Sequence, residues 1–448
     1  MENKIHKFGE KVLYLYLFFL FVVMPLYSKG GYHMISTTKW ALFCNVSYGY
    51  QFGYFFIPGF LIILSFCFIF EVLFYKAYVE KFDKADIMLL LFGVVVALSE
   101  KISFYHLTYF VTEESQAFVG YRGWYMGLIA QISFILIYFF VKRYWGGSKR
   151  IVDIAIIGST IVFFLAVLNR FDIDLLGFTG SLLEVDKHDY VSTIGNINWY
   201  VCYLAVLFPL SVYSYIGASN RIKKILYGIA IMIGTATLVT QGSDSAFLVL
   251  GVLVLYLLKN EDNNVLIELL LIVSGTCILI GFLQNLFSSY AYVPNRLSEL
   301  VTKSFVPYVL FGLGLLFRNK IDLFDKFKKL VFKMIPILLL LVIVYILLNT
   351  FNILPEQLRT YGYFRISDSW GNNRGNIWRV GVYAFIAFVI DHPYVLFLGA
   401  GPDQYANMIF TYNYEEVVVQ RSTVFVSCAH NEFLNTLCNY GILGFVSF

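Results

Sequence analysis

Apolar runs separated by short polar breaks recur along almost the whole chain, and their length sets the first expectation. Against the ~20 residues a helix needs to cross a bilayer, allowing for tilt and brief polar interruptions, they lie near 12–27, 54–75, 86–99, 125–141, 151–168, 198–216, 225–240, 246–258, 265–283, 300–317 and 333–348. A further run starts near 433 and is still apolar at Phe448. The runs at 86–99 and 246–258 are the shortest. The pattern predicts an all-α polytopic membrane protein with about 12 transmembrane helices. On this division residues 1–348 form a membrane domain with about 11 helices, 349–429 a large extracytoplasmic loop, and 430–448 the start of a last span that a truncated chain leaves unfinished.

One stretch decides the topology. Ile377–Ile390 is apolar but short, and is bordered by Arg374, Arg379 and Asp391, so it reads as a re-entrant or interfacial helix rather than a span. On that reading Arg374 and His430 face the same side of the membrane.

Composition supports the class. The 448 residues are 59% hydrophobic and 14% charged, with a mean hydropathy of +0.71, outside the usual makeup of a soluble domain. A net charge of +4, with the basic residues scattered between apolar runs, argues against nucleic acid as a partner and leaves the bilayer. The six cysteines are far apart and form neither a disulfide framework nor a paired metal pattern. Lys4, Lys7 and Lys11 precede the first run without a small-residue cleavage site after it, which marks an uncleaved first span. With the N-terminus in the cytoplasm, most lysines and arginines fall in inside segments, as the positive-inside rule requires. Arg359, Arg365, Arg374, Arg379 and Arg421 gather in the long outside loop.

Candidate chemistry converges on Ala429-His430-Asn431-Glu432-Phe433-Leu434, which runs into Gly441 and Gly444. Helical phase puts His430, Phe433, Leu434, Leu437, Gly441 and Gly444 on one stripe, and glycines on such a stripe let backbones approach closely in a membrane bundle. By position alone, a histidine at a membrane boundary reads first as a satisfied interfacial residue. An imidazole can, however, take a proton from a hydroxyl. A helix start disfavours the imidazolium and is itself an anion site. Arg374 and Arg379 can fork onto phosphate oxygens, so the set describes a general base beside a phosphate clamp.

A metal site from Asp391, His392, Asp403 and His430 has no supporting spacing, and the reading calls for no metal and no cofactor. Asp391-His392-Pro393 reads as a helix stop and Gly399-Ala400-Gly401-Pro402 as the turn after it. The acids Asp172, Asp174, Glu184, Asp186 and Asp189, with His188, read as a solvated loop because their spacing fits no calcium loop. In the turn Thr240-Gln241-Gly242-Ser243-Asp244-Ser245, Asp244 reads as a helix N-cap, with a functional role as the alternative.

These residues fall into a known order. His430-Asn431 followed by Gly441-x-x-Gly444, preceded by Arg374-Gly-Asn-Ile-Trp378, His392-Pro393 and Gly399-x-Gly401, resembles the signature of the bacterial O-antigen ligase family and its polysaccharide polymerase relatives. Gly195-Asn196-x-Asn198 leading to Phe208-Pro209-Leu210 is similar to the family's Asn-rich span start. The resemblance covers about 180 to 448 and implies a GT-C-like, metal-independent membrane glycosyltransferase acting outside the cytoplasmic membrane on an undecaprenyl diphosphate-linked glycan. The acceptor would be a glycan, lipid or protein. Carried over by position, His430 would deprotonate the acceptor hydroxyl, Arg374 would grip the diphosphate, and Asn431 and Asn198 would contact substrate. The chain departs from the pattern at Trp378, where relatives tend to have Leu, and at Ser243-Asp244-Ser245, where relatives often carry an arginine. The second cation would then be Arg379 or another outside arginine such as Arg296.

Ligase and polymerase share this chemistry, and acceptor choice lies in loop shape. A flippase or transporter would predict ionisable residues at mid-bilayer and internal repeats; no repeat is visible and the polar groups gather at the outer boundary. A structural or sensory membrane protein would not need His430.

Overall fold

The computed structural model describes residues 2–52, 54–75, 82–107, 116–183, 186–360, 362–413 and 426–448; Glu184 and Arg421 lie outside these. The helices that matter here are α1 Glu2–Phe18, which continues through a π turn to Leu26, α2 Ile35–Tyr48, α3 Phe60–Tyr75, α4 Lys84–His106, α5 Leu128–Tyr144, α6 Lys149–Asn169, α7 Ile197–Ile216, α8 Arg221–Thr240, α9 Ser245–Asn260 and α10 Asn263–Leu286. They are followed by α11 Arg296–Thr302, α12 Val306–Asn319, α13 Ile321–Thr350, α14 Trp370–Asp391, α15 Val395–Leu398, α16 Tyr405–Tyr412 and α17 Glu432–Ser447. Two short antiparallel hairpins, Gly49–Phe52 with Phe55–Pro58 and Tyr190–Val191 with Gly195–Asn196, complete the secondary structure used below.

Each apolar run of the sequence holds a helix, as expected where every backbone group must find its partner inside the segment. Among the described residues, six helices are long and apolar enough to cross a membrane: Lys4–Leu26, Lys149–Asn169, Ile197–Ile216, Arg221–Thr240, Asn263–Leu286 and Ile321–Thr350. They number seven if α11 and α12, bent by 46°, are one broken span. The protein is a helical membrane protein, but the length-and-hydropathy standard reaches fewer spans than the count of runs. The short 86–99 run turns out to sit in a 23-residue helix. A capping box starts α4: Asp83 accepts from the Asp86 N–H while Asp86 accepts from the Asp83 N–H, satisfying two donors that a helix start leaves open.

The chain forms two compact units. One comprises Glu10–Phe60 and Trp145–Met334. Its core gathers Phe163, Tyr200, Leu204, Phe208 and Ile231 from α6, α7 and α8. Gly234 leaves room for the Phe208 ring, and the buried Tyr200 hydroxyl pairs with Thr237 Oγ1 at 2.7 Å. Gly281 of α10 lies directly against the Thr302 backbone, and Thr302 Oγ1 donates to Gln284 Oε1 at 2.9 Å. That close approach holds α11 on α10 where the chain bends into α12.

The other unit comprises Met1–Gly9, Leu61–Tyr144 and Ile335–Phe448. The three residues Gly371, Asn372 and Asn373 adopt left-handed angles, so regular α14 begins at Arg374. Ile377, Val380, Gly381, Ala384, Phe385 and Phe388 then recur at helical spacing and are buried. Gly381 makes the seat for Tyr405 of α16, whose hydroxyl donates to the Ile377 carbonyl at 2.7 Å. α14 is longer than the expected 377–390 and is not among the helices that meet the crossing standard.

The stripe expected along the last helix is interrupted. α17 breaks at Gly441, at φ 63° and ψ −167°, and Phe433 is 72% exposed. The break opens carbonyls that the chain answers from outside the helix: Ala400 N–H donates to Cys438 O and Gly401 N–H to Asn439 O, both at 2.8 Å. A Cβ on Gly441 would collide with the backbone of Phe397 and Leu398, and one on Gly399 with that of Asn439 and Tyr440. The glycines thus serve a backbone-to-backbone joint rather than a helix face.

Gly441→Ala is therefore expected to destabilise the detergent-solubilised protein by ~1–3 kcal/mol or more, read as a lowered melting temperature. Gly251→Ala, where a Cβ meets open space within α9, should leave it unchanged. Equal melting of the two variants would refute the joint.

Candidate functional site

His430 stands immediately before α17, with Asn431 as the N-cap whose side-chain oxygen accepts from Leu434 N–H at 3.2 Å. The cap fixes where the helix begins and so where the histidine stands. The preceding residue is held at both ends. Ala429 N–H donates to Asn435 Oδ1 at 3.3 Å, and the Trp378 indole N–H donates to the Ala429 carbonyl at 2.9 Å. His430 itself is exposed and has φ 48°, a left-handed backbone rare for a non-glycine residue. Its Nδ1 lies 3.8 Å from Cys428 Sγ, which places Nε2 on the opposite side of the ring. The Trp124 ring meets the imidazole edge-on, with centroids 6.4 Å apart and planes at 70°.

Arg374 lies one turn before Trp378, and residues four apart share a helix face. The tryptophan that departs from the family pattern thus fastens the segment carrying the histidine to the helix carrying the arginine. Arg374 is half-buried in the first regular turn of α14 and makes no hydrogen bond or ion pair to any described residue. A cation there, at the N-terminal end of a helix and without a carboxylate partner among the described residues, is arranged to meet an anion. Arg379 differs: its Nε and Nη2 donate to Asp368 Oδ1 and Oδ2, both at 3.0 Å, and its guanidinium lies 5.8 Å from the Tyr383 ring centre. Its fork is already engaged.

Asn198 and Arg296 belong to the other unit. Asn198 is exposed at the start of α7, where its Oδ1 accepts from Ser243 Oγ at 3.4 Å. Arg296 is exposed at the start of α11. Asp244 does not cap α9 with its side chain; its Oδ1 accepts from Asn295 Nδ2 at 2.8 Å instead. Asp174 binds the Thr179 N–H and hydroxyl, an ordinary turn contact. Arg170, at 2% exposure, holds the adjoining turn by donating to the carbonyls of His188 and Gln241. Among the described residues no three His, Cys, Asp or Glu side chains form a metal-holding group, so Asp391, His392, Asp403 and His430 do not assemble as one.

Asp403 has a different role. It is 7% exposed, and its Oδ2 accepts from the backbone N–H of Tyr121 at 2.6 Å and of Met126 at 3.3 Å. Burial pushes its carboxyl up to about 7, against the opposing pull of those two N–H groups. Sequence reasoning missed Trp124, Cys428 and the tie from Asp403 to the 120–127 loop. The available signal was the cluster Gly120, Gly123, Trp124 and Gly127 in one short stretch, but nothing local connects it to residues so distant in the chain.

Residues 296–448 match the family described as O-antigen ligase. No curated protein and no solved structure matches the chain.

The raised carboxyl of Asp403 fixes a sign. The folded protein holds this proton more tightly than the unfolded chain does, so the stability it contributes is lost as pH rises from about 4 through about 7. Asp403→Asn keeps an acceptor oxygen and removes the ionisation. Its melting temperature relative to wild type is expected to rise between about pH 5 and about pH 8; a flat or falling difference would overturn the assignment.

Proposed function

With the match of residues 296–448 to the O-antigen ligase family as the premise, we propose that the chain is a membrane glycosyltransferase of ligase type. It transfers a glycan from undecaprenyl diphosphate to an acceptor hydroxyl in cell-surface polysaccharide assembly, with inversion and without a metal. The observation that carries the reading is the link between Arg374, which has no carboxylate partner among the described residues, and His430 through Trp378, whose indole N–H holds the carbonyl just before the histidine. In this proposal the membrane domain is GT-C-like, with about 12 spans, a cytoplasmic N-terminus, and α14 as a re-entrant helix within an extracytoplasmic layer over 349–429.

The chemistry follows from the two groups. The donor diphosphate rests on the Arg374 guanidinium at the N-terminal end of α14. His430 Nε2 takes the acceptor hydroxyl proton as the oxygen attacks the anomeric carbon. The new carbon–oxygen bond forms on the face opposite the breaking bond to phosphate oxygen. Undecaprenyl diphosphate leaves with the electron pair, its charge met by the guanidinium, and the proton stays on the imidazole until it passes to water. Arg379, engaged by Asp368, acts in this scheme by holding the turn before Arg374 rather than by gripping phosphate. A polymerase would run the same steps with a second lipid-linked glycan as acceptor, whereas a flippase would require no base.

The test is release of undecaprenyl diphosphate by purified, reconstituted protein given a lipid-diphosphate oligosaccharide and candidate acceptors. A single addition is expected; a product ladder would make the chain a polymerase, and translocation without cleavage would sink both. His430→Ala is expected to lower turnover by ~10²–10⁴-fold with normal insertion, and full activity would remove it as the base. Arg374→Lys should lose much of the rate because a point charge cannot reproduce a planar fork, and Arg379→Lys should lose less.

A further inference from the structure

The loop from Gly120 to Gly127 closes tightly on itself. Gly120 has φ 97°, and a Cβ on Gly127 would collide with the backbone of Val119 and Gly120. Two of its N–H groups, from Tyr121 and Met126, converge on one oxygen of Asp403. Trp124 lies between those two donors in the chain and meets His430 edge-on. Asp403 is in turn anchored at its root, because Gly401, two residues before it, donates to the Asn439 carbonyl at the break in α17. A continuous path thus runs from the backbone joint through a buried carboxylate and a glycine-rich loop to one edge of the imidazole.

We propose that Asp403 is the positioning residue of this site: by fastening the 120–127 loop through two backbone N–H groups it sets Trp124 against His430 and so fixes the imidazole plane. The inference rests on His430 acting as the base. Removing the carboxylate leaves two loop donors without their acceptor and frees the tryptophan edge, and small misplacement of a catalytic group is costly. The path also predicts coupling, since Asp403 and Trp124 act on the same ring in series.

The experiment uses full-length reconstituted protein carrying Asp403→Ala, Trp124→Leu, both together, or Asp403→Asn. Each single variant is expected to lower kcat by about tenfold, with the KM for lipid-diphosphate donor nearly unchanged. The double variant should fall no further than the lower single one, and Asp403→Asn, which keeps an acceptor oxygen, should retain most of the wild-type kcat. Multiplying losses in the double variant, or an unchanged kcat in Trp124→Leu, would overturn the proposal. Carbethoxylation of His430, followed by mass spectrometry, reads the ring without any transfer assay and should quicken in Asp403→Ala and Trp124→Leu but not in Asp403→Asn. If wild type shows no transfer yet labelling follows this order, the transferase reading falls and the placement of His430 stands. Equal labelling in all variants overturns the placement whatever the activity.

Discussion

A helix that breaks among apolar side chains leaves carbonyls without partners, and the arrangement around His430 depends on how the break at Gly441 is answered. In a membrane setting such groups must be satisfied by protein. The chain does this with two N–H groups from the 399–401 turn, brought close enough only because both sides of the joint are glycine. Everything nearby inherits its place from that joint. Gly401 leads to Asp403, Asp403 to the 120–127 loop, and the loop to Trp124; on the other side, α17 runs back to its cap at Asn431 and to His430.

The electrostatics divide two arginines that look equivalent in one dimension. Arg379 has a carboxylate in a two-pronged grip, so its field is largely cancelled at short range. Arg374 has none among the described residues and sits where the helix dipole already favours negative charge. Buried Arg170 shows a third arrangement, in which carbonyl oxygens fix a guanidinium as a structural strut. Of these three, only Arg374 combines partial exposure with a charge unmet among the described residues, which makes it the one of the three suited to a ligand phosphate.

Much of the helical layout was legible because hydropathy over a window is a local property. The runs locate the long helices but not α2, α15 or α16, and α14, bordered by Arg374, Arg379 and Asp391, is not among the helices long and apolar enough to cross. The length of α4 was not legible, since polar residues such as Glu100 and Lys101 extend the helix past the apolar run. The break at Gly441 was hidden for another reason: a glycine on a helical stripe and a glycine at a left-handed kink look alike until the segment it touches is known. Asp244 stands at the N-cap position of α9 as expected, but its side chain is taken by Asn295, remote in sequence, rather than by the helix. The histidine, Arg374 and the Asn cap were visible as residues. What the sequence could not contain was the assignment of partners, Asp368 to Arg379 and Asp403 to the loop, which is decided by tertiary packing.

The backbone of His430 is held away from its own preference. A non-glycine residue in the left-handed region costs ~1–2 kcal/mol, while one hydrogen bond typically contributes ~1 kcal/mol net. The two bonds to Ala429, from Trp378 and to Asn435, together thus cover the strain they restrain. The imidazole rests on a loaded catch: with both bonds in place it is held, and with one gone the tension and the remaining bond stand nearly even.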